Sequence, residues 1–237
     1  MNLIIQRGTR SAFLLTDTAA IGVRTGRIVH FTNKVIPIYV DGTPVAAVAS
    51  SGRLESHCLA GQLQKRTFSS LQMFLDQMPE IFRSTERAIV ERDVGGPMAA
   101  VVAAFDRSRM LPIGFAISNC SEPFPPEFRP YKLNSLSMHI TEFDPDDAVL
   151  RMTDFRDHRQ WNPERDALAL IEAQRRDPDI TTGLFSIGGQ AVLTCLDAKG
   201  LSSKVLKTWP DRIGHRIAPD ASPRLSRWRD LLAAILR

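Results

Sequence analysis

Residues 11–40, SAFLLTDTAAIGVRTGRIVHFTNKVIPIYV, follow a short opening, MNLIIQRGTR, and their reading decides the fold. Residues 3–7 and 11–17 are short apolar runs separated by Gly8, Thr9 and Arg10, the pattern of an antiparallel hairpin. A second hairpin is predicted for 19–23 and 27–31 around Arg24-Thr25-Gly26. A third is predicted for 34–40 and 44–49, joined by Asp41-Gly42, a dipeptide that readily supplies the positive φ of a two-residue turn. The run Val45-Ala-Ala-Val-Ala49 is apolar on both faces, as a strand covered on two sides must be.

Helices come next. A helix is expected over 54–66, and Phe68, Leu71, Phe74, Leu75, Met78, Ile81 and Phe82 recur at steps of three and four to make one apolar stripe. Pro79 lies within that stripe and is expected to kink the element or to begin its second half. Met98–Phe105 and Leu111–Ser118 read as another hairpin, 119–134 as an irregular excursion with four prolines, and Ser135–Phe143 as a strand. Asn162-Pro163-Glu164 has a cap residue, a first-turn proline and an acid, so a helix should run to about Arg176. Gly183–Cys195 and Leu201–Lys207 are expected to close a last hairpin across Asp197–Gly200. Ser222-Pro223 then opens an amphipathic helix over 222–237, with Trp228, Leu231, Leu232 and Ile235 on one side. Antiparallel blocks alternating with helical blocks imply an α+β fold of sheets packed between helices, in a single domain over 1–237.

Composition narrows the function classes. The 237 residues are 43% hydrophobic and 24% charged, as in an ordinary globular chain, and no apolar run reaches the roughly 18 residues of a membrane span. The opening lacks a signal-peptide pattern, and Cys58, Cys120 and Cys195 are too scattered for a disulfide framework or a zinc site, so a cytoplasmic protein is expected. The net charge is +4, and residues 201–237, with eight Lys/Arg against three Asp/Glu, carry more than all of it, leaving about −1 for the rest. Without interleaved aromatics this reads as a solvated face, and nucleic acid is not an expected partner. His139, Glu142, Asp144, Asp146 and Asp147 could form an oxygen-rich loop but lack an EF-hand pattern, and they read as a solvated turn; no metal and no cofactor is expected.

The opening, with Asp17 after the strand Ala12–Leu15, Lys34 at the head of Val35-Ile36, and Ser186-Ile-Gly-Gly189 before Gln190–Leu196, resembles proteasome β-subunits of the N-terminal nucleophile (Ntn) hydrolase superfamily. That resemblance implies a four-layer αββα sandwich. It also implies an N-terminal hydroxyl or thiol whose own amine serves as base, a lysine that lowers the nucleophile's pKa, and an aspartate that orients the lysine. Asp17 and Lys34 would be that supporting pair, and amides near Ser50, Ser51 and Gly52 would form the oxyanion hole.

The nucleophile position falls on Met1 or Asn2, neither of which carries a hydroxyl or thiol, and Gly183 and Leu184 stand where the family places an acid. The resulting expectation is an inactive Ntn-type protein, with Asp17–Lys34 a vestigial pair that holds two strands together, working through homo-oligomerisation or a protein partner at the C-terminal helix. The alternative is a threonine peptidase or amidohydrolase matured at Gly8-Thr9, which would expose Thr9. In that register the supporting positions fall near Thr25 and Asp41.

Overall fold

A computed structural model describes residues 2–6, 11–22, 25–52, 56–91, 98–119, 127–132, 162–176, 178 and 183–219. Strands β1 (Asn2–Gln6) and β2 (Ser11–Asp17) form the first hairpin, with Asn2 opposite Leu15 and Gln6 opposite Ser11. Strand β2 also pairs antiparallel with β10 (Gln190–Asp197), which pairs with β11 (Gly200–Thr208), giving a four-stranded sheet in the order β1-β2-β10-β11.

The other large sheet follows chain order: β5 (Val35–Val40), β6 (Thr43–Gly52), β7 (Met98–Asp106), β8 (Leu111–Ser118) and β9 (Tyr131–Lys132). Its β5–β6 turn has φ of 49° at Asp41 and 73° at Gly42, both in the left-handed region that such a turn requires. A two-stranded ribbon, β3 (Ala19–Ile21) with β4 (Ile28–Phe31), stands apart from both sheets.

The sheets meet through small side chains. Ala12 and Leu14 of β2 pack with Val35, Ala47, Ala49, Val101, Ala103 and Ala116 of the five-stranded sheet. Alanine at 47, 49, 103 and 116 on that face lets the two backbones approach closely. Val48, Ala100, Val102 and Ile117 pack against helices α1 (Ser56–Gln64) and α2 (Leu71–Val90). Phe13, Leu15, Ala191 and Leu193 pack against α3 (Pro163–Arg176) through Ala167, Leu170 and Ile171. Strand β6 is therefore apolar on both sides, as its sequence demands.

Helix α2 begins where Ser70 caps Met73 N at 3.0 Å, and it buries Phe74, Met78, Ile81, Phe82 and Ile89. Phe74 meets Phe68 edge-on at 5.2 Å, and each fully buried aromatic or aliphatic side chain contributes roughly 1.5–3 kcal/mol. Pro79 does not begin a second element: α2 runs through it, and the buried stripe on either side outweighs one missing hydrogen bond.

At α3, Asn162 Oδ1 accepts from Arg165 N at 3.0 Å while Asp166 Oδ2 accepts from Asn162 N at 2.7 Å, a reciprocal cap. Lys204 and Lys207 of β11 pair with Glu164 and Glu172 of α3; Lys204 and Glu164 are both more than half exposed, so that pair adds little to stability. Two further expectations change. A short strand, β9, lies in the stretch read as irregular, and β10 begins at Gln190 rather than Gly183. The strand expected at 135–143 and the helix expected at 222–237 lie outside the described residues. Among the described residues no helix is long and apolar enough to cross a membrane.

Candidate functional site

Asp17 ends β2 and Lys34 precedes β5, so the two belong to different sheets. Lys34 Nζ lies 2.5 Å from Asp17 Oδ1, with the lysine side chain 17% exposed and the aspartate 3%. The second carboxylate oxygen of Asp17 accepts from the amides of Ala19 and Gly188, each at 3.1 Å. Three donors thus compensate one buried negative charge, which a low-dielectric setting requires. Asn33 Oδ1 accepts from Val35 N at 3.0 Å and fixes the turn that presents Lys34. The expected charge pair exists, but its strands are not neighbours: it ties the four-stranded sheet to the five-stranded one. The β5–β6 register sets Val35 opposite Ala49, each next in sequence to Lys34 and Ser50 respectively.

The paired glycines supply the other wall. Gly188 O accepts from Thr18 N at 3.2 Å and Ala19 N at 3.1 Å, and Thr18 Oγ1 accepts from Gln190 N at 2.9 Å. At Gly189 φ is +77°, and a Cβ there would lie 2.4 Å from Thr18 Oγ1 and 2.7 Å from the Phe31 ring. Glycine is needed for both reasons. The turn at 188–189 is in this way stitched to the end of β2.

Three residues of this region went unnoticed in the sequence. Arg175 of α3 holds Asp211 through two nitrogens, each at 2.8 Å, donates to Ile187 O at 2.7 Å, and stacks 4.7 Å from the Trp209 ring centre. Asp211 in turn accepts from Gly189 N at 2.8 Å. Asp17 therefore grips Gly188 from one side and Asp211 grips Gly189 from the other. The available signal was the spacing Ala167, Ile171, Arg175, which places a guanidinium on the buried stripe of a helix.

Beside this turn lies a groove of about 520 Å³, whose walls include Phe31, Asn33, Gln190, Val205 and Trp209. Its open side is apolar at Phe31 and Val205, which are 40% and 48% exposed. Such a shape can take a side chain or a small ligand. Neither Asp17 nor Lys34 lines it.

The nucleophile candidates Met1 and Thr9 lie outside the described residues, as do His139, Glu142, Asp144, Asp146 and Asp147. Asn2 is the first residue of β1. Ser50, Ser51 and Gly52 end β6 opposite Ala100, Ala99 and Met98. Among the described residues no three His, Cys, Asp or Glu side chains gather as a metal site. Burial and the charge of Asp197 push the Cys195 thiol up, and a hydrogen bond with Ser11 only partly opposes them.

No family model matches the chain, and no curated protein does. Solved structures do. The chain is similar to Anbu (ancestral beta-subunit) from Yersinia bercovieri at a TM-score of 0.56 and 12% identity, covering 100% of this chain and 96% of that one. It is also similar to an Anbu (Gly-1) mutant from Hyphomicrobium sp. strain MC1 at a TM-score of 0.54 and 15% identity, over 99% and 96% of the two chains.

The fold is proteasome-like. The resemblance to proteasome β-subunits of the Ntn-hydrolase superfamily is thereby corrected: the similarity found is to Anbu, and at 12% and 15% identity it is one of fold alone. The local cues at Asp17, Lys34 and Gly188-Gly189 describe how this backbone is held together, and a backbone can be shared without the family's chemistry.

Proposed function

We propose that the chain is a non-hydrolytic protein on an Anbu-like scaffold, built as a four-layer αββα sandwich and acting in the cytoplasm through self-assembly. The layering is supported by the three packing clusters, which put α1 and α2 against one sheet, α3 against the other, and small side chains between the sheets. The observation that carries the inactive reading is at the start of β1: Asn2, its first residue, has neither hydroxyl nor thiol and lies opposite Leu15, two residues from Asp17. The Asp17 carboxylate holds Lys34 and the amides of Ala19 and Gly188, a fastening role that needs no nucleophile. In this reading Asp17 and Lys34 are a structural remnant, and the C-terminal stretch 222–237 is a second candidate contact for a protein partner.

The strand register weighs against the alternative, maturation at Gly8-Thr9. That cut would remove β1, an edge strand paired with β2 along five residues. A chain starting two residues before Ser11 would begin at the end of β2 opposite Asp17, about 20 Å away at roughly 3.3 Å per residue.

Intact mass under denaturing and native conditions tests both parts. The expected result is a chain that begins at or next to Met1, that an electrophile directed at N-terminal threonine leaves unlabelled, and that associates into a multimer of one mass. Loss of eight residues, or covalent labelling at Thr9, would restore the enzyme reading.

A further inference from the structure

We infer that the ribbon strand β4 and the turn at 212–216 form a docking surface for the acidic stretch 142–147 of a second copy of this chain; this rests on the self-assembly reading and names its contact. The ribbon is joined to the turn by backbone bonds: Ile28 N to His215 O at 2.9 Å, and Gly214 N to Ile28 O at 2.8 Å. Arg27 and Arg216 face each other as antiparallel partners. Two like charges directly opposite are unfavourable, and each guanidinium reaches a backbone carbonyl instead, Arg27 to Gly214 O at 2.9 Å and Arg216 to Thr25 O at 3.1 Å. Arg212 sits three residues from its turn-closing partner His215 and is exposed like the other two.

Among the described residues no carboxylate pairs with any of these three arginines. The nearby Asp211 is turned inward to Arg175 and Gly189.

The surface is not merely basic. In the β3–β4 register Ala20 lies opposite His30 and Ile21 opposite Ile28, so Val29 is an extra residue, a bulge. A bulge breaks the in-out alternation, and here Val29, His30 and Phe31 are all exposed. Val29 is 56% exposed, and Ile213, next to the bonded Gly214, is 59% exposed. Arginines bordering exposed aliphatic side chains are the composition of a protein contact. An RNA or DNA surface would add several base-stacking rings among the cations, whereas the exposed phenylalanine of β4, Phe31, lines the groove at Gly189.

The matching chemistry is four carboxylates around an apolar anchor. Residues 142–147, EFDPDD, provide Glu142, Asp144, Asp146 and Asp147 with Phe143 among them, and no other six-residue stretch of the chain holds four acids.

The probe is a labelled synthetic peptide of residues 139–150, titrated by fluorescence anisotropy against the full chain, beside native mass spectrometry. Saturable, salt-sensitive binding is expected, weakened about tenfold or more by Arg27→Glu with Arg216→Glu. Arg212→Glu should act in the same direction. Its side chain makes no bond among the described residues, so loss of folding does not confuse its result; a thermal melt confirms this. A peptide carrying Phe143→Ala should bind clearly less well, and equal binding would mark an unspecific polyanion surface and overturn the proposal.

In the native spectrum the arginine variants should dissociate, and lysines at Asp144, Asp146 and Asp147 should restore association to the glutamate variant. An oligomer indifferent to all these changes, with no peptide binding, sinks the docking surface but spares self-assembly. A monomer that binds the peptide sinks self-assembly and makes the contact internal to one chain. A monomer that does not bind sinks both.

Discussion

Lys34 and Asp17 meet at 2.5 Å although their strands belong to different sheets, so one ion pair fastens the two halves of the β-structure at one end. The carboxylate keeps two amide donors besides the lysine, and those donors belong to the ribbon start and the 188–189 turn. One charge therefore organises three segments.

Removing the lysine strands a buried carboxylate. Lys34→Ala should lose about 3 kcal/mol or more of stability, because the remaining charge is desolvated without its cation. Lys34→Met should lose less, since its stem fills the same space. Combining Lys34→Met with Asp17→Asn should recover part of the loss. Urea unfolding of the three variants checks the order, and equal losses for alanine and methionine would contradict it.

The Arg175–Asp211 pair is more deeply enclosed, both side chains being 5% exposed. Arg175→Met should cost about 3–5 kcal/mol, and Arg175→Lys should rescue little, because an ammonium cannot reproduce the two-nitrogen grip or the stacking on Trp209. Tryptophan fluorescence, read alongside the unfolding curve, reports the loss of that stacking.

Two glycines separate backbone strain from crowding. At Gly42 an added Cβ meets nothing within 4 Å, so Gly42→Ala should lose only the left-handed penalty, about 1–2 kcal/mol. Gly189→Ala adds a collision with Thr18 and Phe31 and should lose at least about 3 kcal/mol. Chemical denaturation of both variants gives the comparison.

Cys195 should alkylate slowly in the folded protein. Its raised pKa, caused first by burial and then by Asp197, keeps the thiol protonated at mildly alkaline pH where a free cysteine already ionises in part. The rate should rise only at higher pH. Asp197→Asn should move that rise to lower pH, because the carboxylate charge opposes thiolate formation. Peptide mapping after timed iodoacetamide exposure reads the rate at this position.

What the sequence disclosed follows the range of each interaction. The hairpins 3–7 with 11–17, 34–40 with 44–49 and 98–105 with 111–118 were legible because apolar runs broken by turn residues, Asp41-Gly42 among them, are local signals. The α3 start was legible because Asn162-Pro163 is a cap within four residues. The pairing of β2 with β10 has no local signature, so the sheet that carries Asp17 could not be assembled from the pattern of its strands. Arg175 was hidden because a charge in a helix normally reads as exposed, and its partner Asp211 is 36 residues away. The bulge at Val29 shifts register by one residue, which composition does not record. The charge pair was legible only through a resemblance, because Asp17 and Lys34 are 17 residues apart and nothing local joins them.

The bond between Asp17 and the amide of Gly188 spans 171 residues of chain. The five-stranded sheet and its two helices are complete once residue 132 has been synthesised, whereas β2 must wait for β10 to emerge from the ribosome. Until then one side of β2 has an unpaired hydrogen-bonding edge, and its companion β1 cannot cover it. The interval between the synthesis of β2 and that of β10 is thus the period of exposure to aggregation, and the one in which a chaperone would have most to shield.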